Sequence, residues 1–399
     1  MSQKKILLLG GSAQQVVAIN KAKELGYYTV LCDYLPDNPG QYHADVFYQT
    51  STTDKVAVLE IAKKEKIDGV IAYASDPAAP TAAFVAENMG LPTNPYESVE
   101  ILCNKDRFRD FLAKNGFNTP TACGFGNIDT ARATLEEFEL PVIIKPVDSS
   151  GSKGATVLYS LEGANEALNF AFSFSRSKRI IIEQFIEKSH KYLVGGDVFV
   201  VNGRIVLWGL LNCHRDERVN KLVPVGKSYP LDLCDSDVQA IRDTLQMMVD
   251  KLGIRQGAMN VELVVDKKGR VWPIDVGPRN GGNMIPDLLG MIFGVDVVDM
   301  SVRAAMGEHI DVEIGEGMPY FATHNLHSDR DGIYSDILFD KTIEKHIIKK
   351  CLYKKDGDCV EYFDNASKAL GIIFLKFEDM LQMNGILGNI YDHIKIVLR

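Results

Sequence analysis

The chain has 399 residues, 46% of them apolar, and carries 53 acidic against 44 basic side chains for a formal net charge of -9. That length and apolar share support two or three domains, each with its own core. The acidic balance, with no long lysine or arginine block, excludes nucleic acid and anionic lipid as partners and leaves small polar ligands as the expectation.

The opening MSQKKILLLGGS loses its apolar character after four residues and shows no small-residue cleavage site. No later run approaches the roughly 18 apolar residues needed to span a bilayer. Seven cysteines (Cys32, Cys103, Cys123, Cys213, Cys234, Cys351, Cys359) stand singly, without a Cys-x-x-Cys pair. Neither a zinc site nor a disulfide framework is indicated, and a reducing cytoplasm is the expected compartment.

KKILLLGG, AQQVVAINKAKELG and YTVLCDYLP read as strand, helix and strand, and the pattern recurs in KVAVLEIAKKEKIDGVIAYASD and TAAFVAENMGLP. Residues 1 to about 95 are therefore expected to form an open, mostly parallel α/β domain. Such sheets bind ligands beyond the carboxyl ends of their strands, which places Gly10, Gly11, Ser12, Asp33, Ser75 and Asp76 along one edge. Asp33 stands where a ribose-binding acid would, but the turn reads GGSAQQ and not G-x-G-x-x-G, so a dinucleotide oxidoreductase is the weaker reading.

SVEILCNKDRFRDFLAKNG predicts a helix or helix pair, with Asn104 as N-cap and Gly116 as terminator. From about 120 to 200 the texture is β-rich with one helix, LEGANEALNFAFSF. Strands and helices mix again to 310, and 311–399 reads as a smaller α+β tail ending in IIFLKF and IKIVL.

Within the β-rich part, VIIKPVDSSGSKGATVLY places Lys145 at the end of an apolar strand, ahead of a loop of Ser and Gly and a second strand. The loop, Ser149, Ser150, Gly151, Ser152 and Gly154, offers unencumbered amides suited to phosphate oxygens. A strand follows it where a Walker loop requires a helix, so a hairpin flap is predicted. A lysine among buried neighbours requires an anion, and a triphosphate suits it.

RIIIEQFIEKSHKY is a buried strand running into Glu183, Gln184, Phe185 and Ile186. Its free backbone groups are suited to an adenine edge, and Glu187 to ribose hydroxyls. CHRDERVNKLVPVGKSYP is a polar, charged loop in which His214, Arg215, Arg218 and Lys221 are candidates for a substrate carboxylate.

AMNVELVVDKKGRVWPIDVGPRNGGN carries the most information. Two strands turning at Lys268 and Gly269 put Glu262 opposite Asp275. Carboxylates so paired lie about 5 Å apart at Cβ and repel unless a cation intervenes. Mg²⁺ takes one or two carboxylates, waters and substrate phosphates. Arg279 follows as a fixed guanidinium for a phosphoryl group, with Asn283 as a further ligand.

Taken together these residues resemble the ATP-grasp superfamily over about residues 1 to 310. The resemblance implies an N-terminal parallel α/β (pre-ATP-grasp) domain at 1–104 and an ATP-grasp domain at 105–310 with a β-rich lid at about 120–200. A C-terminal α+β subdomain at 311–399 completes the expected architecture, either closing the site or forming the interface of a homodimer. It further implies Lys105 and Lys145 on ATP phosphates, the flap over them, Glu183 to Ile186 at adenine, Glu187 at ribose, and Glu262 and Asp275 on Mg²⁺ or Mn²⁺. Arg279 and Lys145 take the catalytic part. The family's E-x-N-P-R segment reads DVGPR here, with Asp275 for Glu and Gly277 for Asn; Asn280 or Asn283 is expected to supply the missing amide.

The activity so implied is an ADP-forming carboxylate-amine ligase acting through an acylphosphate on a small acid and an amine, an amino acid or similar metabolite. A bicarbonate-using carboxylase of the purine-pathway or biotin type and a nucleotide-binding module without catalysis are the alternatives.

Overall fold

The computed structural model describes residues 3–149 and 151–399, so the expectation placed on Ser150 lies outside the described residues. Strands β1 (Lys5–Leu9), β2 (Tyr28–Asp33), β3 (Val46–Gln49) and β4 (Gly69–Ile71) form an all-parallel sheet in the order β3-β2-β1-β4. Ile6, Leu7, Leu8 and Leu9 are all buried, as a strand covered on both faces requires.

A helix pair, Tyr96–Cys103 and Lys105–Lys114, leads out of this domain. Asn104 sits between them with extended backbone, but its side-chain amide donates back to the Glu100 carbonyl of the first helix at 2.9 Å and makes no bond to the start of the second. The expected N-cap is thus not made. Instead the Lys105 amide donates to the Val147 carbonyl at 3.0 Å, tying the helix start to the base of the flap.

The lid is an antiparallel sheet of β5 (Ala122–Phe125), β6 (Val142–Pro146), β7 (Thr156–Leu158) and β8 (Ile180–Gln184) in the order β5-β8-β6-β7. Two helices back it, not one. Besides Ala164–Phe174 there is Ile128–Leu135, started by the Asn127 side chain, which accepts from the amides of Asp129 and Thr130.

The remaining strands are β9 (Leu193–Val201), β10 (Arg204–Arg215), β11 (Pro224–Tyr229), β12 (Gln256–Val265), β13 (Val271–Gly277), β14 (Phe321–Leu326), β15 (Gly332–Phe339), β16 (Ile347–Leu352), β17 (Cys359–Val360), β18 (Gly371–Lys376) and β19 (Ile394–Leu398). Eight build a central sheet in the order β13-β12-β9-β10-β11-β14-β18-β16, and β17-β15-β19 form a small third sheet. Strand β9, which the sequence reading counted with the lid, pairs with β10 and β12 in the central sheet. Residues beyond 311 extend that sheet through β14, β16 and β18.

Alternation along the central strands decides what each face of the sheet carries. Val194, Val198, Met259, Val261 and Leu263 turn to one side, under a helix at Asp235–Leu252 whose Ile241, Leu245, Met248, Val249 and Leu252 recur at helical spacing. The opposite face carries Gly195 and Asp197 of β9 beside Glu262 and Asn260 of β12, their register partners. No helix among the described residues is long and apolar enough to cross a membrane.

Candidate active site

The β12–β13 hairpin pairs Glu262 directly with Asp275, and a bulge follows between Glu262 and Leu263. Residues opposed in an antiparallel pair share a face, so both carboxylates point into one cleft. Their side chains are 28% and 40% exposed, accessible to a ligand without standing free in solvent.

Cations surround the pair. Lys105 Nζ lies 3.2 Å from Asp275 Oδ2 and 3.1 Å from the Ser149 carbonyl, and Arg215 Nη2 lies 3.3 Å from Glu262 Oε1. Burial works against the charge of Asp275, but Lys105 and then Lys145 outweigh it and lower the carboxyl below its ordinary value. Burial likewise opposes the Lys105 charge, and Asp275 and Asp76 raise its pKa above the usual ammonium value.

Beneath the lid lies a denser ion cluster that the sequence reading did not anticipate. Glu183 of β8 is buried and accepts from Arg109 Nε at 2.9 Å, from Arg109 Nη2 at 3.3 Å and from Lys145 Nζ. Arg109 Nη2 also donates to the Ile274 carbonyl at 2.7 Å, binding the lid to the β12–β13 hairpin. Burial pushes the Glu183 carboxyl up, yet Arg109 and Lys145 hold it at about 2. Lys145 moves down, because burial together with Arg109 and Lys105 outweighs Glu183. The side chain assigned to the adenine hinge is therefore an anchor for two cations.

The hinge backbone is also partly committed. The amides of Gln184 and Phe185 donate to the Thr121 and Pro141 carbonyls at 2.8 and 3.0 Å. Regular structure ends at Gln184, and Ile186 and Glu187 follow without such bonds among the described residues.

The flap is the β6–β7 hairpin loop. Gly151, Ser152 and Gly154 all have positive φ, and a Cβ on Gly154 would lie 2.8 Å from Pro146 Cγ and 2.9 Å from Phe174 Cβ. Ser152 Oγ donates to the Leu222 carbonyl at 2.9 Å, so the flap touches the β10–β11 loop.

Arg279 is fixed before any ligand arrives. Its Nε donates to Asp76 Oδ1 at 2.6 Å and its Nη2 to Asp76 Oδ2, a bidentate pair joining the end of the β12–β13 hairpin to the N-terminal sheet domain. Gly277 makes room for it: a Cβ there would lie 2.3 Å from Asp76 Oδ1. We expect Gly277→Asn to break this pair and cost about 1–3 kcal/mol. In a double-mutant cycle read by urea unfolding, that cost shrinks when Asp76 is already alanine; an unchanged cost would separate Gly277 from the pair.

Asn283, one of the two residues expected to supply the amide missing at 277, has φ 54° and donates its backbone N–H to Gln14 Oε1 at 2.8 Å. Asn280 is buried with Nδ2 unpartnered among the described residues. Asn260, register partner of Gly277, donates to Asp197 Oδ1 at 2.8 Å. Burial raises the Asp197 carboxyl to about 6 even though the Gly281 amide and the Asn260 side chain pull it down.

The segment 213–230, expected as a charged loop, is half strand, with 216–223 as the loop between β10 and β11. Its candidates scatter. Arg215 reaches Glu262, whereas alternation turns His214 to the opposite face, where its ring lies 2.9 Å from Ser228 Oγ and packs on Tyr192. Burial pushes the His214 ring down to about 3, which favours the uncharged imidazole. Arg218 is held by Asp216 and stacks on Tyr391; Lys221 lies over Tyr159. Asp33 is also spoken for, accepting from the Gly11 and Leu35 amides at 2.7 and 2.9 Å.

Among the described residues no group of three or more His, Cys, Asp or Glu side chains could hold a metal alone. Glu262 and Asp275 provide two oxygen-bearing groups, which suits a cation that takes its other ligands from phosphates and water. The Lys105 ammonium on Asp275 shows that this carboxylate is open to a positive charge.

Comparison with known proteins gives the family and the fold. The chain is 27% identical over 281 residues to an uncharacterised protein of Sinorhizobium fredii, covering 68% of this chain and 55% of that one, so it spans about half of that relative's length. It is 27% identical over 326 residues to a formate-dependent phosphoribosylglycinamide formyltransferase of Erythrobacter litoralis, covering 78% and 79% of the two chains. The fold superposes on the crystal structure of an L-amino acid ligase from Bacillus licheniformis with a TM-score of 0.83 at 20% identity, over 100% of both chains. The family model described as carbamoyl-phosphate synthase L chain, ATP binding domain, matches residues 104–313, and through it the chain belongs to the ATP-grasp superfamily.

Proposed function

We propose that the protein is an ATP-dependent ligase that phosphorylates a small carboxylic acid, releases ADP and joins the acyl group to an amine. The observation that carries this reading is the cleft in which Glu262 and Asp275 oppose each other beside Lys105, with Lys145 above them on the lid. ATP with Mg²⁺ or Mn²⁺ would supply the phosphoryl group when bound. Glu262 and Asp275 would hold the cation, and Lys105, now on Asp275, would face the phosphates.

Lys145 and the flap amides offset the remaining phosphate charge, and Arg279 presents a guanidinium whose position Asp76 already sets. Phosphoryl transfer asks a protein mainly for positioning and charge neutralisation, which these groups provide. The names of two similar proteins, a formate-dependent formyltransferase and an L-amino acid ligase, support an acid and an amine as substrates. The cytoplasm is the proposed compartment, in keeping with cysteines that are all unpaired.

A screen of carboxylic acids crossed with amines, read by ADP and phosphate release, tests the reading. The expected result is ADP release that requires one acid and rises with one amine. ADP release on bicarbonate alone, indifferent to every amine, would replace the ligase with a carboxylase.

A further inference from the structure

One cation on the ligand-facing side of the central sheet has no carboxylate. Lys105 pairs with Asp275, Lys145 and Arg109 with Glu183, Arg215 with Glu262, and Arg279 with Asp76. Lys227 of β11 has none among the described residues. It is only 6% exposed, and its Nζ donates to the Cys213 sulfur at 2.6 Å. Its only hydrogen-bond partner among the described residues is thus a thiol, and no carboxylate lies within ion-pair distance of a charge that ordinarily requires one.

The position of this ammonium is informative. Register pairs Lys227 with Cys213, Cys213 with Leu193, Leu211 with Gly195 and Gly195 with Glu262, so Lys227 shares its face of the sheet with Glu262. A Cβ on Gly195 would lie 3.0 Å from Lys227 Nζ and 2.5 Å from Cys213 Sγ. The ammonium thus reaches across the glycine, toward the strand that bears Glu262. Arg279 and Lys227 both lie near enough to Asp197 to act on its charge.

We propose that Lys227 receives the carboxylate of the acid substrate, holding it beside Glu262, an assignment that rests on the ligase reading above. The thiol is a weak partner that a carboxylate displaces readily, because a charge-assisted N–H···O bond is stronger than one to neutral sulfur. Gly195 keeps the space above the ammonium open. The substrate class is a small monocarboxylic acid, since a single unpaired cation serves a single carboxylate.

Lys227→Met, close in size and without charge, tests this alongside Cys213→Ala. The probes are formate, acetate, glycine, L-alanine and bicarbonate, each measured by ADP release and by the shift in melting temperature. For the acid that stimulates the native protein, Lys227→Met is expected to raise KM on the order of tenfold to a hundredfold. Its KM for ATP and its ATP-induced melting shift stay at native values, which also shows that it folds. Cys213→Ala keeps the native KM for the acid. If no acid stimulates ADP release but one raises the melting temperature of the native protein and not of Lys227→Met, the anion site stands and the ligase reading falls. An acid response equal in the two proteins, or none by either measurement, overturns the assignment.

Discussion

Asp275→Asn is expected to lower ADP release by about a hundredfold or more while leaving the fold intact. Asn keeps the shape of the side chain and its place opposite Glu262, but it removes one of the two negative charges that a divalent cation would bridge. Stability is expected to change by about 1 kcal/mol or less, because two effects oppose. The variant loses the 3.2 Å Lys105 pair, whose carboxylate is 40% exposed and therefore screened, and it relieves repulsion between facing carboxylates. Steady-state ADP release and thermal unfolding of the same sample separate activity from folding. Near-native turnover would remove Asp275 from the chemistry.

The largest effect on stability is expected at Glu183, not at the metal pair. Glu183→Leu leaves Arg109 and Lys145 buried without their shared carboxylate, and breaking a buried pair in this way costs about 3–5 kcal/mol. Urea unfolding at neutral pH measures it, and a loss below about 1 kcal/mol would show that the two cations find other partners. The pH dependence has a defined sign. The folded carboxyl titrates at about 2, below the ordinary 4.5, so its stabilisation is present above 4.5 and is lost as pH falls through about 2. The gap between native and variant stability therefore narrows across that window.

The contrast between these two acids shows what local pattern can and cannot convey. Glu262 and Asp275 were legible because a hairpin is a short-range object: a Lys-Gly turn flanked by apolar runs sets register, and register sets which side chains face each other. The parallel N-terminal sheet and the flap were legible for the same reason, each being an alternation or a turn confined to a few dozen residues. Glu183 lay in an equally apolar run, yet its partner Arg109 is 74 residues away, on a helix where it reads as one more solvated charge. Nothing local marks such a residue except a charged position on a buried helix face.

By itself the sequence determined the parallel N-terminal sheet, the carboxylate pair at the hairpin and the lysine at the end of an apolar strand, all consequences of periodicity and of turn chemistry acting over short spans. Only the tertiary structure decided that Glu183 anchors two cations, that Gly277 exists beside an Asp76–Arg279 pair spanning 203 residues, that His214 faces away from the cleft, and that Lys227 has no paired carboxylate among the described residues. The physical reason is common to all four. A charge takes its meaning from the partners that folding brings within a few ångströms, and separation along the chain does not encode that distance.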